Sequence, residues 1–396
     1  MNQHASSPRT AASSANIKRE VFALRAYSFS AYSIQALLVS FIPLYFLSRG
    51  ISEQGIGLIY STGLFVSIFA NLLTGLASDK LRTIRKLLSA LLLGQLLAMG
   101  ALFSLENFAF ICATMALFYF CQTPMNPLSD SLILLSSQHT GTPYALIRIF
   151  GSLGFAVSAF GFGLLLKEIG SEWTILVAIC TISISLLLSL FLKDYQGKAS
   201  SIQFSGFFKL LRQKSVIIFF GLVLLVSISH RMYESFLAVT LRHIGASDSQ
   251  IGLALMVSAV SEIPVLFLLG KYGHKLRELP LLVFASLMYA LRLWLLSEIE
   301  DPRWLVLTQA MHSISFGIYF ATALRYISGL IPDEFRASGQ AVYTIIWTGV
   351  AGIISGVLGG MIYEQLGKAV FYQIATGIAL LAAIGFFLYS IWRNRQ

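Results

Sequence analysis

The chain has 396 residues, of which 56% are hydrophobic and only 12% charged, with a mean hydropathy of +0.76. Soluble globular domains carry about 25% charged residues, so the composition places this protein in a membrane and excludes a disordered chain, a collagen-like fibre and a disulfide-stapled secreted domain. The formal net charge is +10, from 28 basic and 18 acidic residues, and its placement along the chain points to membrane topology, not to nucleic acid.

A helix needs about 20 mainly apolar residues to cross a ~30 Å hydrocarbon core. Twelve stretches meet this need, near 22–47, 54–78, 86–105, 107–136, 143–167, 172–192, 215–241, 250–270, 280–298, 303–330, 339–363 and 367–392. The first is too long for a signal-peptide core of ~7 to 15 residues and reads as a retained span. The longest polar break divides the chain into a tail over 1–21, a six-helix bundle over 22–192, a central loop over 193–214, a second six-helix bundle over 215–392 and a tail over 393–396. So little chain lies between spans that an ATP-binding domain is excluded. Gly367-Lys368 is followed by Ala369, where a phosphate loop needs Ser or Thr.

With the N-terminus inside, nineteen basic residues fall on the cytoplasmic side and five on the other, so both termini are expected in the cytoplasm of a bacterial inner membrane. The segment from Gly75 through Asp79, Lys80 and Leu81 to Arg82 is echoed by Gly270, His274, Lys275, Leu276 and Arg277 after the eighth span. Such an internal echo is expected of a transporter built from repeated bundles. Cys112, Cys121 and Cys180 lie in apolar runs without metal-ligand spacing and read as buried thiols.

The run Gly75-Leu-Ala-Ser-Asp79-Lys-Leu-Arg82-Thr-Ile-Arg85-Lys86 resembles the signature loop of the major facilitator superfamily, and the twelve spans with a central loop match that fold along the chain. The resemblance implies an all-α polytopic protein with twelve transmembrane helices in two six-helix bundles. Gly75, Asp79, Arg82, Arg85 and Lys86 then become gating residues. Asn126-Pro127-Leu-Ser-Asp130, followed eighteen residues later by Arg148-Ile-Phe-Gly151, is similar to the oligosaccharide and lactose proton symporters and the phenylpropionate-permease group. In the lactose-transporting members a carboxylate follows the histidine equivalent to His312 by three residues, and here that position is Ser315, which tilts the likeness toward the phenylpropionate group.

A charge at a span centre costs about 2.5 to 3.5 kcal/mol on the insertion scale, so each one kept implies a partner, water or a function. Gln122, Asn126 and Asp130 recur at every fourth residue and form one helical stripe, with Arg148 on the adjoining span. Asp130, Arg148, Asn126, Gln122 and Arg292 are the expected substrate-binding residues, with Tyr32 and Trp347 as stacking rings. A proton-coupled carrier needs a group that changes charge between states, and Glu262, His312 and Glu234 are the candidates. Arg231 and Glu234 read equally well as interfacial residues. The glycines Gly352, Gly356 and Gly360 read as a close helix contact.

No nucleophile or metal constellation is present in the sequence, so neither an enzyme nor a metal or other cofactor is expected. The expected function is secondary transport by alternating access, as proton symport taking up a sugar, nucleoside or aromatic acid. Its partners are the small solute, protons and the lipid bilayer, without nucleic acid, and it acts as a monomer. Alternatives are a proton-driven efflux antiporter and a solute sensor of the same fold. Span five lacks the proline of antiporter motifs, which favours uptake.

Overall fold

The computed structural model describes residues 8–81, 83–195, 213–331, 339 and 342–393. The expectations placed on Arg82 and on 196–212 of the central loop fall outside the described residues, as does the side chain of Asp79.

Every regular element among the described residues is helical. In hydrocarbon a helix satisfies its backbone polar groups within itself, whereas an open strand cannot. Among the described residues ten helices are long and apolar enough to cross a membrane. Nine are α1 (Asn16–Ser48), α2 (Glu53–Gly75), α3 (Ile84–Leu102), α4 (Phe108–Thr140), α5 (Leu146–Ile169), α6 (Ser171–Leu190), α7 (Lys214–His243), α8 (Asp248–Leu269) and α9 (Glu278–Glu298).

Twelve spans and ten helices are reconciled by two local features. The tenth helix, Val342–Arg393, contains Gly367 at φ 76°, a left-handed conformation that only glycine adopts cheaply, and this kink divides it into α11 (342–366) and α12 (368–393). The remaining span, α10 (302–330), is broken into Pro302–Thr308, a 3₁₀ turn at Gln309–Met311, a π segment at Ser313–Gly317 and Ile318–Leu330. The first helix also begins earlier than expected, at Pro8. Of the three thiols, Cys121 is buried as expected, but Cys180 is exposed on the outer face of α6 and Cys112 is half-buried.

Side chains and caps fix the helix starts. Ser247 and Gln250 form a reciprocal capping box at α8, Asn107 accepts from the first turn of α4, and Asp301 accepts from Arg303 N ahead of Pro302. The Asp194 carboxylate accepts from the backbone N–H of Ile84 at 3.0 Å and of Arg85 at 3.2 Å, and from the Thr83 hydroxyl. It thereby ties the chain after α6 to the N-terminus of α3. Burial beside the Glu20 carboxylate, to which it donates, pushes the Tyr195 hydroxyl well above its ordinary value.

The two halves of the chain meet closely on the face opposite the termini. Gly57 of α2 lies against the backbone of Gly356 and Gly360 of α11, and Gly252 of α8 lies against the backbone of Ala159 and Phe160 of α5. A Cβ at any of these glycines would run into backbone, so small residues are what allow the approach. Polar bonds add to this closure. Glu364 accepts from Gln54 N at 2.8 Å, His243 Nε2 lies 3.3 Å from Glu53, and Ser171 donates to Asp248 at 3.2 Å. The G-x-x-x-G-x-x-x-G series of α11 is therefore the close contact expected from its spacing.

This packing generates a prediction. In a chain whose native cysteines are replaced, a cysteine at Gln35 on the cavity wall should be protected from a water-soluble maleimide added on the far face. Gly57→Leu, which drives a side chain into the Gly356 carbonyl, should make it react from that side. Unchanged protection would show that the glycine contact does not hold the far face shut.

Candidate functional site

Between the halves lies a central cavity of two lobes. One, of about 320 Å³, is walled by Tyr32, Ser258, Glu262, His312 and Phe316 and extends toward the closed face. The other, of about 650 Å³, is walled by Asn71, Gln122, Asn126, Asp130, Arg231 and Trp347 and extends toward the face bearing the termini. Gln35, Val39 and Glu234 line both lobes and mark where they join.

Three short π segments, Leu37–Phe41, Ser313–Gly317 and Ile345–Val350, carry Val39, Phe316 and Trp347 of these walls. Each inserts a residue into an α-helix, a distortion that recurs at functional sites.

The C-terminal wall is organised by Arg292, which is 1% exposed. Its Nη2 donates to Gln309 Oε1 at 2.5 Å, its Nη1 lies 2.8 Å from His312 Nδ1, and its guanidinium sits 4.1 Å over the Tyr233 ring. A guanidinium can only donate, so Nδ1 of His312 accepts. The neutral ring then carries its proton on Nε2, which lies 3.0 Å from Glu262 Oε1 and donates to it. Tyr233 completes the set by donating to Gln309 Oε1 at 2.7 Å.

Aromatic rings extend this wall. Phe316 is stacked between His312, at 4.8 Å, and His230, at 4.9 Å, and Trp347 stacks on His230 at 4.9 Å. The His230 Nδ1 lies 3.1 Å from the Tyr289 hydroxyl. Arg231 pairs with Glu234 and donates to the Trp347 carbonyl at 3.1 Å and the Thr348 hydroxyl at 3.3 Å, tying α7 to α11. Both residues line the cavity.

On the N-terminal wall, Arg148 Nε donates to Asp130 at 3.0 Å, and its guanidinium lies 4.3 Å over the Tyr32 ring. Gln122 donates to Gln35 at 3.3 Å, linking the stripe on α4 to α1. Gly151 leaves room for this arrangement, since a Cβ there would meet Tyr32 at 2.7 Å and Arg148 at 2.9 Å.

Of the sequence-predicted residues, Asp130, Asn126, Gln122, Tyr32, Trp347, Glu234, Glu262 and His312 line the cavity. Arg148 and Arg292 are not among the lining residues: Arg292 is buried against Gln309 and His312, and the half-buried Arg148 is held by Asp130 and Tyr32. Of the expected gating residues, Gly75 faces open space and Lys86 is exposed. Arg85 donates to the Leu192 carbonyl at 3.4 Å within its own half. Tyr233 and Phe316 were not anticipated, although they stand three and four residues from His230 and His312, where helix neighbours meet. Among the described residues no cluster of His, Cys, Asp and Glu has metal-holding geometry.

Comparison with known proteins places this arrangement. A model of the MFS_1 like family matches residues 22–374. A maltose permease of Geobacillus stearothermophilus is 28% identical over 361 residues, covering 84% of this chain and 86% of its own. A protein of Escherichia coli (strain K12) named as a probable 3-phenylpropionic acid transporter is 25% identical, covering 88% of this chain and 92% of its own. In structure, a D323A mutant of the nucleoside transporter NupG superposes with a TM-score of 0.85 at 17% identity, covering 93% of this chain and 99% of that one.

Arg292→Lys tests the wall. Lysine keeps the charge but cannot serve Gln309 and His312 in one plane, and loss of one buried charged hydrogen bond is worth roughly 1.5 to 3 kcal/mol. The variant should assemble in the membrane yet transport at least about tenfold more slowly. Wild-type rates would show that Arg292 does not position His312.

Proposed function

The chain belongs to the MFS_1 like family and is a multi-pass membrane transporter, not an enzyme, and from that premise we propose that it is a proton-coupled symporter that takes up a small hydrogen-bonding solute by alternating access. The carrying observation is the relay on the cavity wall, in which Arg292 fixes His312 so that Nε2–H faces Glu262.

In this mechanism Glu262 is the proton site. Ionised, it accepts the His312 Nε2–H, and neutralised by a proton it loses that charge-assisted bond and is free to hydrogen-bond a solute hydroxyl. Sealing an unneutralised carboxylate within the closed protein carries the cost of a charge in low dielectric, so reorientation needs the proton. Glu234, at the junction of the lobes and paired with Arg231, is the second group whose charge is open to change.

The walls argue for the solute's chemistry. They expose three carboxylates, those of Asp130, Glu234 and Glu262, against the one guanidinium of Arg231, whereas Arg148 is held by Asp130 and Arg292 is buried against Gln309 and His312. That favours a neutral hydroxyl-rich solute, a sugar or nucleoside, over an aromatic acid, and Tyr32, Phe316 and Trp347 supply rings for its apolar face. Among the named relatives the maltose permease accords with this class, and the probable 3-phenylpropionic acid transporter with the aromatic acid it disfavours.

We assign the face bearing the termini to the cytoplasm of a bacterial inner membrane and the closed face to the outside. The two working bodies are bundles over 22–192 and 215–392, acting as a monomer. When the far face opens, the loop carrying Asp79, Arg82, Arg85 and Lys86 would engage the other half and shut the near face.

The test is the pH outside de-energised proteoliposomes as sugars, nucleosides, aromatic acids and cationic dyes are added. Alkalinisation by a sugar or nucleoside is expected. Acidification by the dyes, or measured solute uptake with no pH change, would overturn proton symport.

A further inference from the structure

The echo of the signature loop ends at Arg277, a residue that the transport reading leaves without a task. It borders a second cavity, of about 450 Å³, on the face bearing the termini and outside the central site. Three guanidiniums from three spans converge there: Arg277 at the start of α9, Arg325 on α10 and Arg393 at the end of α12, with Tyr326 and Ser390 between them. Arg325 is spoken for. It lies 3.0 Å from the Glu278 carboxylate and donates to the carbonyls of Leu276, at 3.0 Å, and Gly273. Arg393 donates to the Tyr326 hydroxyl, a neutral partner, and Arg277 has no ion pair among the described residues. Among the described residues Glu278 therefore balances one of three positive charges, and the pocket keeps an excess of about two.

Like charges gathered in a cleft between spans repel, and an anion lodged among them offsets that repulsion. The N-terminus of α9 adds to the field, since Arg277 makes no side-chain cap and Glu278 and Leu279 of the first turn line the pocket. The surroundings are amphipathic. Leu276, Leu287, Leu388 and Ile391 on the adjoining elements are exposed apolar side chains, suited to acyl chains. A basic pocket at the end of membrane spans, opening onto apolar flanks, has the form that anionic lipid headgroups occupy.

We propose that this cleft binds the phosphate of an anionic phospholipid, held by Arg277 and Arg393 and backed by Arg325, with its acyl chains along the outer faces of α9 and α12. The bound headgroup bridges three spans of the C-terminal half and stabilises that half on the near face. The site is separate from the central cavity and does not depend on the transported solute.

The test uses the purified full chain in detergent, reading its thermal unfolding midpoint as lipid is titrated. Phosphatidylglycerol should raise the midpoint by roughly 3 °C or more near saturation, and phosphatidylcholine should not. Arg277→Gln, at an exposed side chain that the fold does not need, should weaken the apparent lipid affinity by about fivefold, and Arg277→Gln with Arg393→Gln by more. Lys18→Gln, an exposed cation on the same face of the other half, should leave it unchanged. The proposal is overturned if phosphatidylcholine acts as well as phosphatidylglycerol, if the double variant responds as wild type, or if Lys18→Gln weakens binding equally. Inorganic phosphate at the same concentration reproducing the full shift would assign the cleft to a free anion and overturn the lipid.

Discussion

A guanidinium buried within a membrane protein cannot shed its charge and has no water to turn to, so its neighbours must be built around it. Arg292 is that group here. Its two donated bonds set the side chains of Gln309 and His312, its face takes the Tyr233 ring, and the histidine so oriented presents Nε2 to Glu262 across from α8. The consequence extends further, because His312 stacks on Phe316, Phe316 on His230 and His230 on Trp347. One unpaired positive charge thus orders residues of α7, α8, α10 and α11 along a single wall.

The wall borders a cavity only because the halves touch at one end. Glycine-lined contacts between α2 and α11 and between α5 and α8 bring backbones together on the far face, while the larger lobe extends toward the other face. Contacts of this kind hold by close packing of small residues and a few polar bonds, so they can part without unfolding either half. In the proposed cycle the charge state of Glu262 and the occupancy of the cavity decide when they do.

The spans were legible because a hydrocarbon slab imposes one length on every helix, and short apolar stretches between polar breaks leave few ways to thread it. The four-residue spacing of Gln122, Asn126 and Asp130 sufficed to place them on one face, and Gly352, Gly356 and Gly360 sufficed to place a helix contact. The direction in which Arg148 and Arg292 point was not legible, since spacing gives a helical face but not which neighbour a long flexible side chain will choose. The division of α10 and the π segments escaped for a different reason. A residue inserted into a helix turns everything after it by about 100°, and nothing in the composition of Ser313–Gly317 or Ile345–Val350 marks that step. That is why Phe316 was not expected on the wall.

The claim on which the account rests is that Glu262, held by His312, couples proton movement to solute movement. It is tested most directly by comparing exchange with accumulation in Glu262→Gln. Exchange of labelled for unlabelled solute needs no net proton transfer, whereas accumulation against a gradient does. The account predicts that the variant exchanges solute yet fails to accumulate it under an imposed proton gradient; accumulation at the wild-type level would contradict it.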